Sequence, residues 1–176
     1  MIRSFPIQAA GKAALITLLA VAGLCLALAV YFWSIRLTHP LVMSIGALTT
    51  LALAGLFCWF AVARRGATVV IEGDQMCIAI PLYGRTIKLD QVVRGSVRAV
   101  LLGSDTDYRL TWRTNGLDVP GYQLGWFRGQ GIGRVLASVT GKEVLAFRTK
   151  DDYPVLLSMA DRAGLERAMR AAVEGA

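Results

Sequence analysis

Residues that could carry out chemistry are sparse in this sequence. His39 is the only histidine, and it precedes the second apolar run, so the polar part of the chain holds no histidine for a catalytic triad or dyad. Asp151 and Asp152 are adjacent carboxylates, but Lys150 precedes them, which favours a solvated turn over a general acid or a metal ligand. We therefore predict no catalytic residue, no metal site, no cofactor and no enzymatic activity.

Two glycine-containing segments resemble phosphate-binding loops only superficially. The segment Gly129-Gln-Gly-Ile-Gly133 would need a strand before it and a helix after it to bind a dinucleotide. It is followed instead by Arg134-Val-Leu-Ala-Ser-Val139, which has the pattern of a strand. Thr140-Gly-Lys142 lacks the upstream glycine of a P-loop. Both segments are predicted to be hairpin turns.

The three cysteines form no recognisable pattern. Cys25 and Cys58 lie in apolar runs, and Cys77 lies in a predicted strand. Their number and spacing provide neither a disulfide framework nor a zinc site. They are predicted to be small apolar residues in a reducing compartment.

One cluster of aromatic and basic residues is a candidate interaction surface. It comprises Tyr122, Trp126, Phe127 and Arg128. Tryptophan, tyrosine and arginine are enriched at the centres of protein interfaces, so Tyr122, Trp126 and Arg128 are our candidate interaction residues. The alternative, which we favour, is that Trp126 and Phe127 fill the core and Arg128 is merely exposed.

The elements that must position these residues divide the chain into two modules. Of the 176 residues, the first 63 contain no Asp or Glu and only three basic residues, Arg3, Lys12 and Arg36. All twelve acidic residues lie from Glu72 onward. The second module carries a mild net charge of +4 and no basic run longer than two residues, which argues against a nucleic-acid partner.

Two uncharged runs are predicted to be transmembrane helices. They span residues 13–33 and 41–63, and about 20 apolar residues suffice to cross a ~30 Å hydrocarbon core. A seven-residue link makes them a hairpin. The predicted membrane-interface anchors are aromatic or basic residues at the ends of the runs: Lys12, Trp33, Trp59, Arg64 and Arg65.

The basic residues also predict the orientation of the hairpin. Arg3 and Lys12 lie on one side with Arg64 and Arg65, whereas the hairpin tip has only Arg36. The positive-inside rule then predicts a multi-pass protein of the inner membrane with both termini cytoplasmic. A cleaved signal peptide is the alternative, but the second apolar run argues against it.

Small residues recur in the apolar runs and allow close helix approach. Gly46, Thr50 and Ala54 are spaced four apart in the second run. They could form a dimer face, but packing within the hairpin is the favoured interpretation because the hairpin already supplies a partner. No ionisable residue lies inside either run, which argues against a transporter or an ion path.

From Thr68 onward the sequence predicts short strands followed by a helix. Predicted strands, separated by turn residues, lie at 68–72, 75–80, 85–89, 95–102, 108–113, 133–139 and 143–149. A resemblance to a capping box at Ser158-Met-Ala-Asp161 predicts the start of a helix containing Leu165, Met169 and Val173. The fold class is α+β: a transmembrane hairpin (1–65), then a small β-barrel or sandwich (66–176) of about seven strands capped by a C-terminal helix.

The order of several motifs resembles one known family. Thr114-Asn-Gly…Pro-Gly-Tyr122, Gly125-Trp-Phe-Arg128, the hairpin around residues 134–147 and Tyr153-Pro-Val-Leu-Leu-Ser158 are similar to bacterial pleckstrin-homology (PH)-like domains. Members often join membrane spans to such a domain. The resemblance implies a fold and a non-enzymatic role, but it carries over no ligand and no site residue.

These features lead to one functional hypothesis and two alternatives. The hypothesis is a membrane-anchored PH-like binding or scaffold protein that presents a cytoplasmic surface to a protein partner or to a second copy, with membrane lipids around its helices. One alternative is a peripheral module that senses anionic lipids, although Glu72 and Asp74 in the first hairpin turn would repel phosphate there. The other is an accessory subunit of a membrane enzyme or transport complex.

Overall fold

The structure, a computed structural model, describes residues 2–35, 40–63 and 66–174. The chain forms two compact units. One comprises Lys12–Arg64, and the other comprises Met1–Gly11 together with Arg65–Ala176. The sequence had assigned residues 1–65 to the hairpin, whereas the structure groups the first eleven residues with the β-rich unit.

The first unit is a pair of helices, α1 (Lys12–Ser34) and α2 (Pro40–Ala63). Both are long and apolar enough to cross a membrane. Their outer faces expose large apolar side chains, including those of Ile16, Leu24 and Leu48. Such a surface is unfavourable in water and is suited to a lipid environment.

Small residues pack the two helices against each other. A Cβ atom added to Gly46 would lie 3.3 Å from the Phe32 ring, so glycine lets that ring of the neighbouring helix pack closely against the α2 backbone. Ala54 is buried, and the Thr50 hydroxyl donates a hydrogen bond to the Gly46 carbonyl. The predicted role of Gly46 in packing the hairpin is therefore confirmed.

The second unit contains two sheets and a helix. In the described residues the first sheet has the order β1-β2-β3-β4 and the second the order β5-β9-β10-β8-β7-β6, with β8 and β10 parallel. The first sheet comprises β1 (Arg3–Pro6), β2 (Thr68–Glu72), β3 (Gln75–Ala79) and β4 (Arg85–Lys88). The second comprises β5 (Arg98–Leu101), β6 (Leu110–Val119), β7 (Tyr122–Gly129), β8 (Gly133–Val139), β9 (Glu143–Arg148) and β10 (Pro154–Leu157).

Strand β1 links the chain before α1 to both sheets. It pairs antiparallel with β2 from Arg3↔Ile71 to Pro6↔Thr68. Beyond it, the Gln8 N–H donates to the Ser158 carbonyl (2.8 Å), next to the end of β10. The sequence did not predict this strand, because four residues ending in a proline show no period-two pattern.

The core lies on both faces of the second sheet. In the first sheet, strands β2 and β3 bury alternate residues, as half-buried strands do. In the second sheet, by contrast, all four residues of β10 are buried. On one face the buried cluster comprises Val100, Tyr108, Phe127, Val135, Ala137, Val139, Val144, Ala146 and Leu156. The other face buries Leu124, Trp126, Leu136, Leu145, Phe147 and Leu157.

Helix α3 (Arg162–Glu174) ends the described chain and buries Leu165, Met169 and Val173 as predicted. Its N-cap is Asp161, whose carboxylate accepts a hydrogen bond from the Gly164 N–H (2.9 Å). Ser158 does not cap the helix as predicted. It is fully buried, and its hydroxyl accepts a hydrogen bond from the Thr140 N–H.

The predicted fold class is confirmed, with more strands than predicted. The hairpin of β8 and β9 follows the prediction closely, whereas β7 and β10 were not predicted as strands. The predicted strand at 108–113 starts later, because Tyr108 belongs to a short 3-10 turn.

Candidate interaction surface

The indole ring of Trp126 is the centre of an aromatic and basic cluster. Trp126 lies on β7 and is only 6% exposed. The Tyr153 ring meets it edge-on at 5.3 Å. The guanidinium of Arg134 lies 4.0 Å from the ring centroid, and that of Arg85 lies 5.8 Å away. Both are within the range of a cation–π interaction.

Two sheets contribute to this cluster. The pairing Trp126↔Leu136 places Arg134, two residues before Leu136, on the same face of the second sheet as Trp126. Arg85 comes from the first residue of β4 in the other sheet. The cluster therefore forms where the two sheets meet.

The turn between β3 and β4 packs against β6 and β7. The Tyr83 hydroxyl donates a hydrogen bond to the Asn115 side-chain oxygen (3.0 Å). A Cβ atom on Gly125 would lie 3.1 Å from the Tyr83 ring and 2.5 Å from the Asn115 carbonyl, and φ of Gly125 is +114°. Gly125 thus allows the turn to approach the sheet closely. Leu82, at the tip of the same turn, is 66% exposed.

A row of exposed side chains crosses three neighbouring strands beside Trp126. Trp112 on β6 is paired with Arg128 on β7, and Arg128 is paired with Arg134 on β8. Residues directly opposite each other in an antiparallel pair share a face. Trp112 is 71% exposed, and the arginines are exposed. We call Arg85, Arg128, Arg134 and Trp112 the arginine face.

The arginine face lacks neutralising carboxylates. Within residues 2–35, 40–63 and 66–174, no carboxylate lies within ion-pair distance of Arg85, Arg128 or Arg134. Three other arginines of the domain do form ion pairs: Arg162 with Glu143 (2.8 Å), Arg98 with Asp105 (3.4 Å) and Arg170 with Glu166 (2.6 Å). The three guanidinium groups of the arginine face therefore carry positive charge beside Trp126 without an ion pair of this kind.

Tyr153 is the titratable group that contacts this cluster. Burial raises the pKa of its phenol above the ordinary value, and the Asp151 carboxylate raises it further. The positive charge of Arg85 and a hydrogen bond with Thr149 lower the pKa, but they do not cancel the rise. Tyr153 is therefore a neutral aromatic partner of Trp126 at physiological pH.

The predicted interaction residues lie in contrasting environments. Tyr122 and Trp126 are buried, as core packing would place them, and Arg128 is exposed. Sequence reasoning missed Trp112, Arg85 and Arg134. A tryptophan followed directly by an arginine in a predicted strand, Trp112-Arg113, was the available signal.

The predicted membrane anchors lie at or near helix ends. Lys12 is the first residue of α1, and Trp33 and Trp59, near the ends of α1 and α2, are both exposed. Arg64 and Arg65 lie outside the described residues, as does His39.

The loops that resemble phosphate-binding motifs are hairpin turns. The segment 129–133 joins β7 to β8, and residues 140–142 join β8 to β9. Neither leads into a helix, as a phosphate-binding loop would. Among residues 2–35, 40–63 and 66–174, no group of three or more His, Cys, Asp or Glu side chains could hold a metal ion.

A comparison with protein families identifies the second unit. Residues 67–173 match the bacterial PH domain family. The chain belongs to this family. No curated protein and no solved structure matches the chain. The match begins at residue 67, so β1 lies outside it although it pairs with β2 of the PH domain.

Proposed function

We propose that this protein is a membrane-anchored, non-enzymatic binding or scaffold module whose PH domain works at the cytoplasmic face of the inner membrane. The pairing of β1 with β2 is the observation that carries the proposal. Strand β1 precedes α1 and β2 follows α2, so their pairing requires the chain to leave and return on one side of any membrane that the helices cross.

The other supports are the lipid-compatible helices and the distribution of charge. Exposed leucine, isoleucine and valine side chains on α1 and α2 favour hydrocarbon over water. Arg3, Lys12, Arg64 and Arg65 flank the hairpin on the side of the PH domain, which the positive-inside rule assigns to the cytoplasm. A binding role suits a domain of the bacterial PH family.

The membrane orientation can be tested with Cys77, which is exposed on β3. A membrane-impermeant thiol reagent should label Cys77 only after the inner membrane is permeabilised. The variant Cys77→Ser controls for labelling of Cys25 and Cys58. Labelling of Cys77 in cells whose inner membrane is intact would contradict the proposed orientation.

The binding role can be tested by site-specific photocrosslinking in native membranes. A photoreactive residue at position 128, where the exposed arginine stands, should form a discrete adduct with a protein partner or with a second copy. Position 88, which is exposed on β4, is the matched control. If neither position gives an adduct and the protein purifies as a monomer, the scaffold role is wrong.

A further inference from the structure

The arginine face combines like charges that the fold does not neutralise. Arg128 and Arg134 are directly opposite each other on β7 and β8, and Arg85 and Arg134 both contact the Trp126 ring. Like charges at opposed positions of a sheet destabilise it. An anionic partner would remove this repulsion.

Trp112 adds an exposed aromatic side chain to the same face. It is paired with Arg128 and is 71% exposed. A tryptophan beside arginines is suited to the headgroup region of a membrane, where the indole meets the lipid boundary and the guanidinium groups meet phosphates. Leu82 is also exposed, on the turn that packs against β6 and β7.

The chain connectivity places Arg85 at the end of the first sheet that is tethered to the helices. Thr68, the first residue of β2, pairs with Ala79, and Ile78 pairs with Arg85. Arg85 therefore lies two strand spacings from Thr68, and at ~4.8 Å between neighbouring strands this distance is about 10 Å. The four residues 64–67 that follow α2 span at most ~14 Å.

The opposite end of the same sheet carries charges of both signs. Glu72 and Asp74 occupy the β2–β3 turn, whereas Arg3 pairs with Ile71 and Lys88 pairs with Gln75 at that end. These opposite charges offset one another, so an anionic leaflet attracts that end less strongly than it attracts the arginine face.

We propose that the arginine face binds anionic lipid headgroups of the leaflet in which the protein is anchored. This inference rests on the proposed membrane attachment and adds a lipid site to it. The site lies away from the first hairpin turn, where acidic side chains disfavour phosphate. Binding fixes which surface of the PH domain faces the membrane.

The test uses the full chain in nanodiscs of phosphatidylcholine, with or without added phosphatidylglycerol. Hydrogen–deuterium exchange is measured for peptides containing Trp112 and residues 126–134. Anionic lipid should slow exchange there, and high salt should reverse the effect. Each arginine near an anionic surface contributes a factor of about five to the docked population, so Arg128→Ala should reduce the docked-to-undocked ratio about fivefold.

A pair of charge reversals provides the matched control. Arg128→Glu should abolish the lipid-dependent protection, whereas Lys88→Glu, with the same change in net charge at the other end of the first sheet, should retain it. Near-UV circular dichroism checks that both variants are folded. Equal protection in both variants, or protection that ignores lipid charge, would overturn the inference. So would protection produced by a soluble acidic peptide and not by phosphatidylglycerol.

Flotation distinguishes this failure from failure of the proposed function. The full chain should float with liposomes after an alkaline wash whatever their lipid charge. A chain that floats without charge-dependent protection would contradict only the lipid site. A chain that the alkaline wash removes would contradict both the membrane attachment and the lipid site.

Discussion

Replacing Ile7 with alanine tests whether the segment before α1 is part of the PH domain fold. Ile7 follows β1 and is only 6% exposed. Its N–H donates to the Ala67 carbonyl (3.0 Å), and the residue forms a bridge with Met159, which is also buried. The substitution leaves the backbone hydrogen bonds possible and removes only buried side-chain carbons.

The expected cost follows from the volume removed. Three carbons at about 0.8 kcal/mol each give about 2.4 kcal/mol of lost transfer free energy. The residual cavity adds to this, so Ile7→Ala should lower the free energy of unfolding by about 2–4 kcal/mol. For a domain of this size, each kcal/mol shifts the melting temperature by about 4 °C, so the midpoint should fall by about 8–16 °C.

The assay is thermal unfolding of the full chain in detergent, followed by near-UV circular dichroism. Ile2→Ala is the matched control, because Ile2 precedes β1 and is 66% exposed. An exposed substitution of this kind should change stability by less than about 0.5 kcal/mol. If the two variants melt together, the segment before α1 does not contribute to the folded domain.

Three further predictions concern single positions of the PH domain. Asp161→Ala should remove the N-cap of α3 and lower the free energy of unfolding by about 1 kcal/mol, measured by chemical denaturation. Gly125→Ala should cost about 1–3 kcal/mol, because a Cβ atom would lie 2.5 Å from a carbonyl oxygen, whereas Gly141→Ala, with open space around it, should be tolerated in the same assay. The raised pKa of Tyr153 means that the folded state holds its proton more tightly than the unfolded state. Its stabilising contribution should be complete below pH ~10 and should be lost as pH rises through the folded pKa, a loss that Tyr153→Phe should remove from a pH series of unfolding curves.

The elements that could be predicted from the sequence are those in which the spacing of apolar residues matches the spacing of buried residues. Strands β2 and β3 alternate cleanly, and α3 has a helical stripe of buried residues. Strand β10 is buried on both faces, so it has no alternation to detect and is too short for its length to decide. Strand β7 contains Gly125 and a nearly continuous buried run. It therefore shows no alternation of apolar and polar residues, and it was not predicted as a strand.

The candidate surface was harder to predict because it depends on contacts between strands distant in sequence. Trp126 and Arg128 were recognisable as a local cluster of aromatic and basic residues. Arg85 reaches Trp126 from the other sheet, and Trp112 reaches Arg128 only through the β6–β7 register. That register contains irregularities on both sides of residues 112–113, which no local pattern predicts.

The order of elements makes the helical hairpin an insertion within the domain rather than an addition to one end. Strands β1 and β2 are neighbours in one sheet, about 5 Å apart, and each continues into one helix. The chain leaves the first sheet after Pro6 and returns to it at Thr68, and these two residues pair with each other. The two connections to the hairpin therefore start from adjacent strand ends, and they remain adjacent only while β1 pairs with β2. The hydrogen bonds that complete the sheet thus also hold together the two points from which the hairpin is inserted.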